Sequence, residues 1–320
     1  MELRTLHLDG QTLRTRVYAT HPDRVVDVEL SSDATARLLT AAAPFLNWLA
    51  TAGYLPQGAS LEALWLDADQ KTVTVQVAGV SHRVDYLATQ NLLRELARSA
   101  RREAVARKPD PPGLSPSLRW EYLYHHGGDG WEMGKATPPH ARYFRAHPPA
   151  AATRSLVVGC GRGHEAILLA EVGDPSARVI GIDLAPAAVQ IASRLAAQKG
   201  VSDRVSFAQQ DLFAWPSREP SECGSFDLVV EHNCFCAIEP QHRDDYVAAV
   251  AQLLRPGGRL VGLFYPHDYP GGPPYASTAD EIQRRFQDAF SITYQETPTD
   301  SAITRAGLEL LLVAERRASG

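Results

Sequence analysis

Three glycines at alternate positions, Gly159, Gly161 and Gly163, follow the apolar run SLVV and precede the segment HEAILLAEV. An apolar run of that length bounded by glycine predicts a buried parallel strand, and Ala166, Ile167, Leu168 and Ala170 fall near helical spacing, so the pair reads as a strand feeding a helix. Where the chain turns sharply, glycine leaves no side chain, and a ligand can lie against bare backbone at the helix N-terminus. Further on, Asp183, Asp211 and Glu231 each stand at or just after the end of a predicted strand, and His232 follows the last of them. Carboxylates at such a rim are costly unless paired or solvated, so several together point to a ligand that carries hydroxyls or positive charge.

The spacing of the glycines discriminates among nucleotide-like ligands. A dinucleotide fingerprint reads G-x-G-x-x-G, its third glycine letting helix pack on strand. Here the residue three beyond Gly161 is His164, which argues against NAD or FAD. S-adenosylmethionine has no phosphate, needs the glycines only beside its amino-acid part and ribose, and offers both hydroxyls and cationic charge. Asp183, about 20 residues past the turn, is then the acceptor for the ribose hydroxyls. Asp211 takes the adenine amino group, and Glu231 faces the methionine ammonium or the methyl acceptor. Leu184 and Leu212, each next to an acid, are counted with them as cofactor-binding. The competing readings are a tight turn in a ligand-free α/β domain and, for Asp211, a helix N-cap.

These residues need a sheet to hold them. From Ser155 onward, strands at 155–159, 178–183, 204–209, 226–231, 259–264, 291–295 and 308–315 alternate with helices at 164–172, 186–199, 242–254 and 278–288. That alternation predicts an α/β fold with a mostly parallel sheet covered on both faces and its ligand at the carboxyl ends of the strands. The last two strands have only a loop between them and predict an antiparallel hairpin at one edge. Residues 1–108 predict a separate N-terminal α+β domain. Its expected strands are near Leu3–Leu8, Leu13–Tyr18, Val25–Leu30, 61–67 and 71–77, with a hairpin turn at Asp9-Gly10 and helices after Ser32 or Asp33 and from Tyr86 to Arg107. Residues 109–119 form a Pro-rich, extended linker, and 120–320 the cofactor-binding domain.

Composition narrows the partners. With 320 residues, 44% hydrophobic content and net charge −5, the chain can bury a large core and has no global pull towards nucleic acid or anionic membrane. The basic helix with Arg94, Arg98, Arg101 and Arg102 reads as a solvated face, since no aromatics interleave its distal half. No apolar run approaches a membrane span and no leader is apparent, so a cytoplasmic location is expected. Four cysteines, Cys160, Cys223, Cys234 and Cys236, are too few and uneven for a disulfide framework; reduced thiols and no metal site are expected, with soft-metal or arsenic binding a minor alternative. Trp120, Tyr122, Tyr124, His125 and His126, followed by a Gly-rich run, read either as a lid over the pocket or as an aromatic anchor on the sheet edge. His125 and His126 are placed on a strand, pointing to opposite faces.

The stretches WEMGKATPP, LVVGCGRG, VIGIDLAP, QQDLF, FDLVVEHNCFCAIEPQHR, LLRPGGRL, GGPPY and TRAGLEL occur in that order from Trp131 to Arg317. Together they resemble the thiopurine S-methyltransferase family, including its halide and thiol methyltransferase branch. The resemblance implies a class I methyltransferase with a seven-stranded Rossmann-like sheet and S-adenosylmethionine as methyl donor. It implies that Trp131 and Gly134 flank the cofactor, that Gly159, Gly161 and Asp183 bind it, and that residues 231–236 line the acceptor pocket. Where the family tends to read Asp-Tyr-Thr after the fourth strand, this chain has Glu231-His232-Asn233, and residues 1–110 have no counterpart.

The expected reaction is methyl transfer to a small soft nucleophile, first a thiol, by a monomer or homodimer. Such a displacement asks mainly for positioning and desolvation, which agrees with the lack of an evident catalytic dyad. His232, with Glu231, is the candidate for acid–base help; a buried structural histidine is the alternative. The rival from another class is a non-catalytic cofactor-binding scaffold with the N-terminal domain as recognition element, and halide, oxyanion, N or O acceptors remain open.

Overall fold

The computed structural model describes the backbone of six strands between residues 2 and 85, and residues 115–125, 131–268, 271–302, 305 and 307–318. The chain divides into two compact units, residues 1–109 with 302–306 and residues 110–301 with 307–320. In the first unit β1 (Glu2–Asp9), β2 (Thr12–Tyr18), β3 (Val25–Glu29), β4 (Leu61–Asp67), β5 (Thr72–Val77) and β6 (Val80–Asp85) pair antiparallel in the order β3-β2-β1-β4-β5-β6. Asp9 opposite Thr12 closes the expected hairpin at Gly10. Strand β6 was not expected from the sequence; it returns on β5 after two residues, with Val77 opposite Val80. The two helices expected in this region, and the connector up to residue 114, lie outside the described residues.

The second unit carries the seven-stranded sheet. Its strands are β7 (Arg154–Val158), β8 (Arg178–Asp183), β9 (Val205–Gln209), β10 (Phe226–His232), β11 (Leu254–Phe264), β12 (Phe290–Glu296) and β13 (Leu310–Arg316), in the order β12-β13-β11-β10-β7-β8-β9. All neighbours are parallel except β13, which runs antiparallel to both β11 and β12. The near-continuous apolar strands are explained by cover on both faces. Leu156 and Val158 of β7 enter one buried cluster with Phe226, Tyr246 and Phe264, while Val157 between them enters the other with Ile167, Leu169 and Phe144. The helices are α1 (Pro116–His125), α2 (Pro138–Ala146), α3 (His164–Val172), α4 (Pro186–Lys199), the short α5 (Trp215–Arg218), α6 (Arg243–Leu253) and α7 (Ala279–Phe286).

Three expectations are corrected. The end of the supposed extended linker and the supposed strand through His125 form α1, with Pro116 at its first position, where a missing N–H is harmless. Glu121 and His125, four residues apart, meet at 2.9 Å as only a helix allows. Between β9 and β10, where two strands were expected to follow directly, α5 and a 3₁₀ turn (Pro220–Glu222) intervene. Among the described residues, no helix is long and apolar enough to cross a membrane.

Candidate active site

Strand β7 lies where the strand order reverses, and the turn after it is made of backbone. Gly159, Gly161 and Gly163 have φ of 56°, 53° and 82°, a region that costs an L-residue roughly 1–2 kcal/mol. Cys160 N donates to Ile182 O and Gly163 N to Cys160 O, both at 2.8 Å, which pins the loop to β8. Space is the second constraint. A Cβ at Gly159 would lie 2.7 Å from Cys234 Sγ, and one at Gly163 would lie 2.7 Å from the Phe207 ring and 2.8 Å from Ala192. The third glycine therefore serves the packing of α3 on α4 and β9, and the first leaves exposed backbone at the rim.

Asp183 ends β8 beside this turn. Its Oδ2 accepts from Gly161 N and its Oδ1 from Ala185 N, both at 2.9 Å. Burial pushes the carboxyl above the usual aspartate range, and the backbone donors oppose that rise. Each oxygen retains a further lone pair for a hydroxyl. Helix α1 covers the same corner: Ser117 Oγ donates to Leu184 O at 3.1 Å, and Glu121 Oε2 accepts from Ala187 N at 2.8 Å. Tyr124 Oη stands 3.1 Å from where a Gly161 Cβ would be, so the glycine makes room for the phenol. Burial, then the Asp183 charge, push that phenol well above its usual range and keep it protonated. Trp131 packs edge-on against Trp120 at 5.4 Å and Tyr124 at 5.8 Å. Tyr124 thus lies against the glycine turn, with Trp131 packed on it and Trp120 on Trp131.

Two acids fasten residues 131–137 to the first turn of α3. Glu132 Oε1 meets His164 Nε2 at 2.8 Å and accepts from Gly134 N at 2.6 Å, while its Oε2 pairs with Arg162 Nε at 3.3 Å. Burial pushes Glu132 up, but His164 and its other partners outweigh this and lower it. Gly134 adopts φ 71°, which the tight return onto Glu132 requires. Glu165 Oε1 accepts from Thr137 N at 3.0 Å, lies 3.2 Å from His232 Nδ1 and 3.8 Å from His140 Nδ1. Burial pushes Glu165 up, but the neighbouring His232 and His140 outweigh this and leave it well below the ordinary glutamate range. The His140 and His232 rings meet edge to face at 5.8 Å.

At the other side of the rim, two sequence expectations change. Glu231 does not face a ligand: it is fully buried, its Oε2 accepting from Phe235 N at 2.8 Å and from Tyr246 Oη at 3.1 Å. Burial pushes its carboxyl up to about 7. It braces the loop after β10 from below, where Asn233 takes φ 58° to turn the chain. Leu212 packs into the core with Trp215, so its side chain belongs to the fold. Asp211 is half-buried; its Oδ1 accepts from Phe213 N at 3.0 Å, and its carbonyl accepts from Ala214 N and Trp215 N, so it also caps the turn into α5. His232 stands one residue beyond the Glu231–Val158 pair, beside Gly159. Cys160, Cys223, Cys234 and Cys236 are free thiols, and among the described residues no cluster of three His, Cys, Asp or Glu is arranged to hold a metal. The residues that sequence reasoning missed are Glu121, Glu132, His140 and Glu165, which reach the site from other elements.

A seven-stranded sheet with one antiparallel strand near its edge, a glycine turn at the switch point and an acid closing the next strand define a class I methyltransferase that uses S-adenosylmethionine. The same fold is seen in a geranyl diphosphate C-methyltransferase from Streptomyces coelicolor A3(2), with TM-score 0.50 and 14% identity over 64% of this chain and 100% of that one. Residues 116–309 match the family model described as thiopurine S-methyltransferase, and the chain belongs to that family. It is 33% identical over 166 residues to a probable thiol methyltransferase 2 from Arabidopsis thaliana, covering 52% of this chain and 70% of the relative. It is 34% identical over 169 residues to thiocyanate methyltransferase 1 of the same plant, covering 51% and 70%.

Proposed function

We propose that the chain methylates a small soft nucleophile, first of all a thiol, and that the corner formed by Gly159, Gly161, Asp183 and Tyr124 receives the donor. The observation that carries this reading is the cradle itself: bare backbone in the turn, a carboxylate held by two backbone donors, and a protonated phenol 3.1 Å from where a Gly161 Cβ would be. These residues suit S-adenosylmethionine, whose sulfonium supplies an activated methyl group. Asp183 accepts from the ribose hydroxyls, with Leu184 beside it, and Trp131, Gly134 and Tyr124 close over the cofactor and exclude water. Asp211 takes the adenine amino group on the oxygen its turn does not use. His232, next to Gly159, stands on the acceptor side with the Cys234 loop. Positioning and desolvation then carry most of the rate, since a thiolate needs little further help.

The relatives named for thiol and thiocyanate supply two acceptor classes, a neutral S–H compound and a ready-made anion. A non-catalytic scaffold is not favoured, because the relatives are methyltransferases. Reduced cysteines suit a cytoplasmic setting, and the enzyme works as a monomer or homodimer on a small molecule. Calorimetry with S-adenosylmethionine and S-adenosylhomocysteine, followed by methyl-transfer assays across thiols, thiocyanate, iodide and thiopurines, tests the proposal. A ligand at 100 times its Kd stabilises by about 2.7 kcal/mol. Absence of any thermal shift with either compound would overturn it.

A further inference from the structure

Glu165 stands in the first turn of α3, immediately after the cofactor turn, and is 6% exposed. A buried carboxylate is costly unless it is partnered. Its Oε1 is shared between Thr137 N at 3.0 Å and His232 Nδ1 at 3.2 Å. We infer that Glu165 is a positioning residue for His232, that the pair removes the proton from an acceptor arriving as a neutral thiol, and that the enzyme therefore favours S–H compounds over ready-made anions such as thiocyanate. The inference rests on the acceptor-side reading of His232 given above.

The chemistry follows from which nitrogen faces the acid. A carboxylate against Nδ1 stabilises the tautomer with its proton on Nδ1 and leaves Nε2 to accept another. The thiol S–H bond breaks and its proton moves to Nε2. The sulfur electron pair forms the new S–C bond as the methyl leaves the donor sulfonium, whose bonding pair stays on the sulfur of S-adenosylhomocysteine. The imidazolium later returns its proton to water, so thiol and sulfonium give thioether, S-adenosylhomocysteine and one proton. During that step the Glu165 charge stabilises the imidazolium.

The neighbours of His232 support this assignment. Facing it are Glu165 from α3 and His140 from α2, while its neighbour Glu231 on β10 turns into the core and acts on it only through space, and Glu309 acts electrostatically on His140. His140 is fully buried with its Nδ1 3.8 Å from the same Glu165 oxygen, and burial pushes the imidazole below its usual range against the pull of Glu165, so it stays neutral. Held neutral, it packs edge to face on the His232 ring. An acceptor that already carries negative charge gains nothing from the base and meets the Glu165 carboxylate nearby. A thiol of pKa about 8.5 is only about 3% ionised at pH 7, so the base is worth up to roughly 30-fold to it.

The test compares the parent with Glu165→Gln, whose amide oxygen can still accept from Thr137 N while the charge is gone. The readouts are kcat/KM between pH 6 and 10 with one alkyl thiol and with thiocyanate, S-adenosylhomocysteine affinity by calorimetry, and the His232 tautomer by ¹⁵N NMR. Expected are a roughly 10- to 30-fold loss with the thiol at pH 7 that vanishes near pH 10, an undiminished thiocyanate rate, unchanged S-adenosylhomocysteine affinity, and loss of the single Nδ1–H tautomer. An equal loss for both acceptors, or one that persists at pH 10, overturns the inference. The parent alone gives a second test that needs no variant. Across thiols of graded acidity at pH 7, kcat/KM that tracks the thiolate fraction overturns the inference, and kcat/KM that falls less steeply supports it. A parent active on thiocyanate but not on thiols overturns this inference and leaves methyl transfer standing; one active on neither overturns both.

Discussion

The two sides of the rim are built by opposite means. On the side proposed for the donor the chain removes side chains: three glycines with positive φ, a carboxylate gripped by Gly161 and Ala185, and the Tyr124 ring against the turn. On the side proposed for the acceptor it adds them: Cys234 lies against Gly159, and Glu165 and His140 gather on the His232 ring, with the loop braced from beneath by Glu231 and Tyr246. A donor common to a family is met by backbone, which sequence drift scarcely alters. An acceptor that varies is met by side chains, which single substitutions exchange. The Glu231-His232-Asn233 sequence lies on the exchangeable side.

The sharpest way to break this comparison is at Asp183. Asp183→Ala removes the ribose acceptor, and a hydrogen bond to a charged group contributes about 1.5–3 kcal/mol, so S-adenosylmethionine affinity should fall by roughly 10- to 100-fold. The variant also leaves Gly161 N and Ala185 N without their partner, and its melting temperature should drop somewhat. Calorimetry showing parental affinity in a folded variant would mean that the donor does not lie at this corner. Tyr124→Ala should cost less, about 3- to 10-fold in affinity, because the ring contributes cover and packing on Trp131 but no charge. If acceptor KM changes while donor affinity holds, the aromatic segment belongs to the other side of the comparison.

The difference between the sides also explains what the sequence disclosed. Glycine spacing and an acid at a strand end are local signals, and both the turn at Gly159 and the place of Asp183 could be read directly. The seven-strand alternation was legible for the same reason, since a strand buried on both faces is apolar throughout. Glu165, His140 and Glu132 were not legible, because their meaning depends on residues 25 to 92 positions away in the chain. An acid in a first helical turn ordinarily complements the helix dipole, and nothing local marks Glu165 as a partner of His232. Glu231 misled in the other direction: strand-end position suggested the ligand, whereas the pleat turns its side chain into the core.

That buried acid gives a prediction confined to the underside of the acceptor loop. Glu231 has a pKa raised to about 7 in the fold, against about 4.3 when unfolded. Between those values the folded chain holds the extra proton, so stability is greatest at the acid side and falls as pH rises through the window. Glu231→Gln keeps an oxygen for Phe235 N and Tyr246 Oη and never ionises. Its melting temperature should match the parent near pH 4 and exceed it at pH 8 by several degrees, from about 3–4 kcal/mol of proton linkage. Parallel melting curves across pH 5–8 would show that this carboxyl does not titrate there, and the brace would then be a simple hydrogen-bond anchor.

The smallest effect is expected from the largest deletion. Every residue assigned to the donor lies between Trp120 and Asp211, and the family match begins at residue 116, so we propose that residues 1–108 form a separate domain. A chain starting at Leu114 retains α1, whose Ser117, Glu121 and Tyr124 dock on the Leu184 to Ala187 loop and the glycine turn. Its S-adenosylhomocysteine affinity should stay within about twofold of the parent, since domains joined by exposed Pro-rich linkers fold with few shared contacts. Turnover is the more informative readout. If donor affinity holds while thiol turnover is lost, the N-terminal domain governs the acceptor side, and the contrast between the two halves of the rim extends to the domain level. An insoluble product would mean instead that the two units share a core, and the separate-domain proposal would be withdrawn.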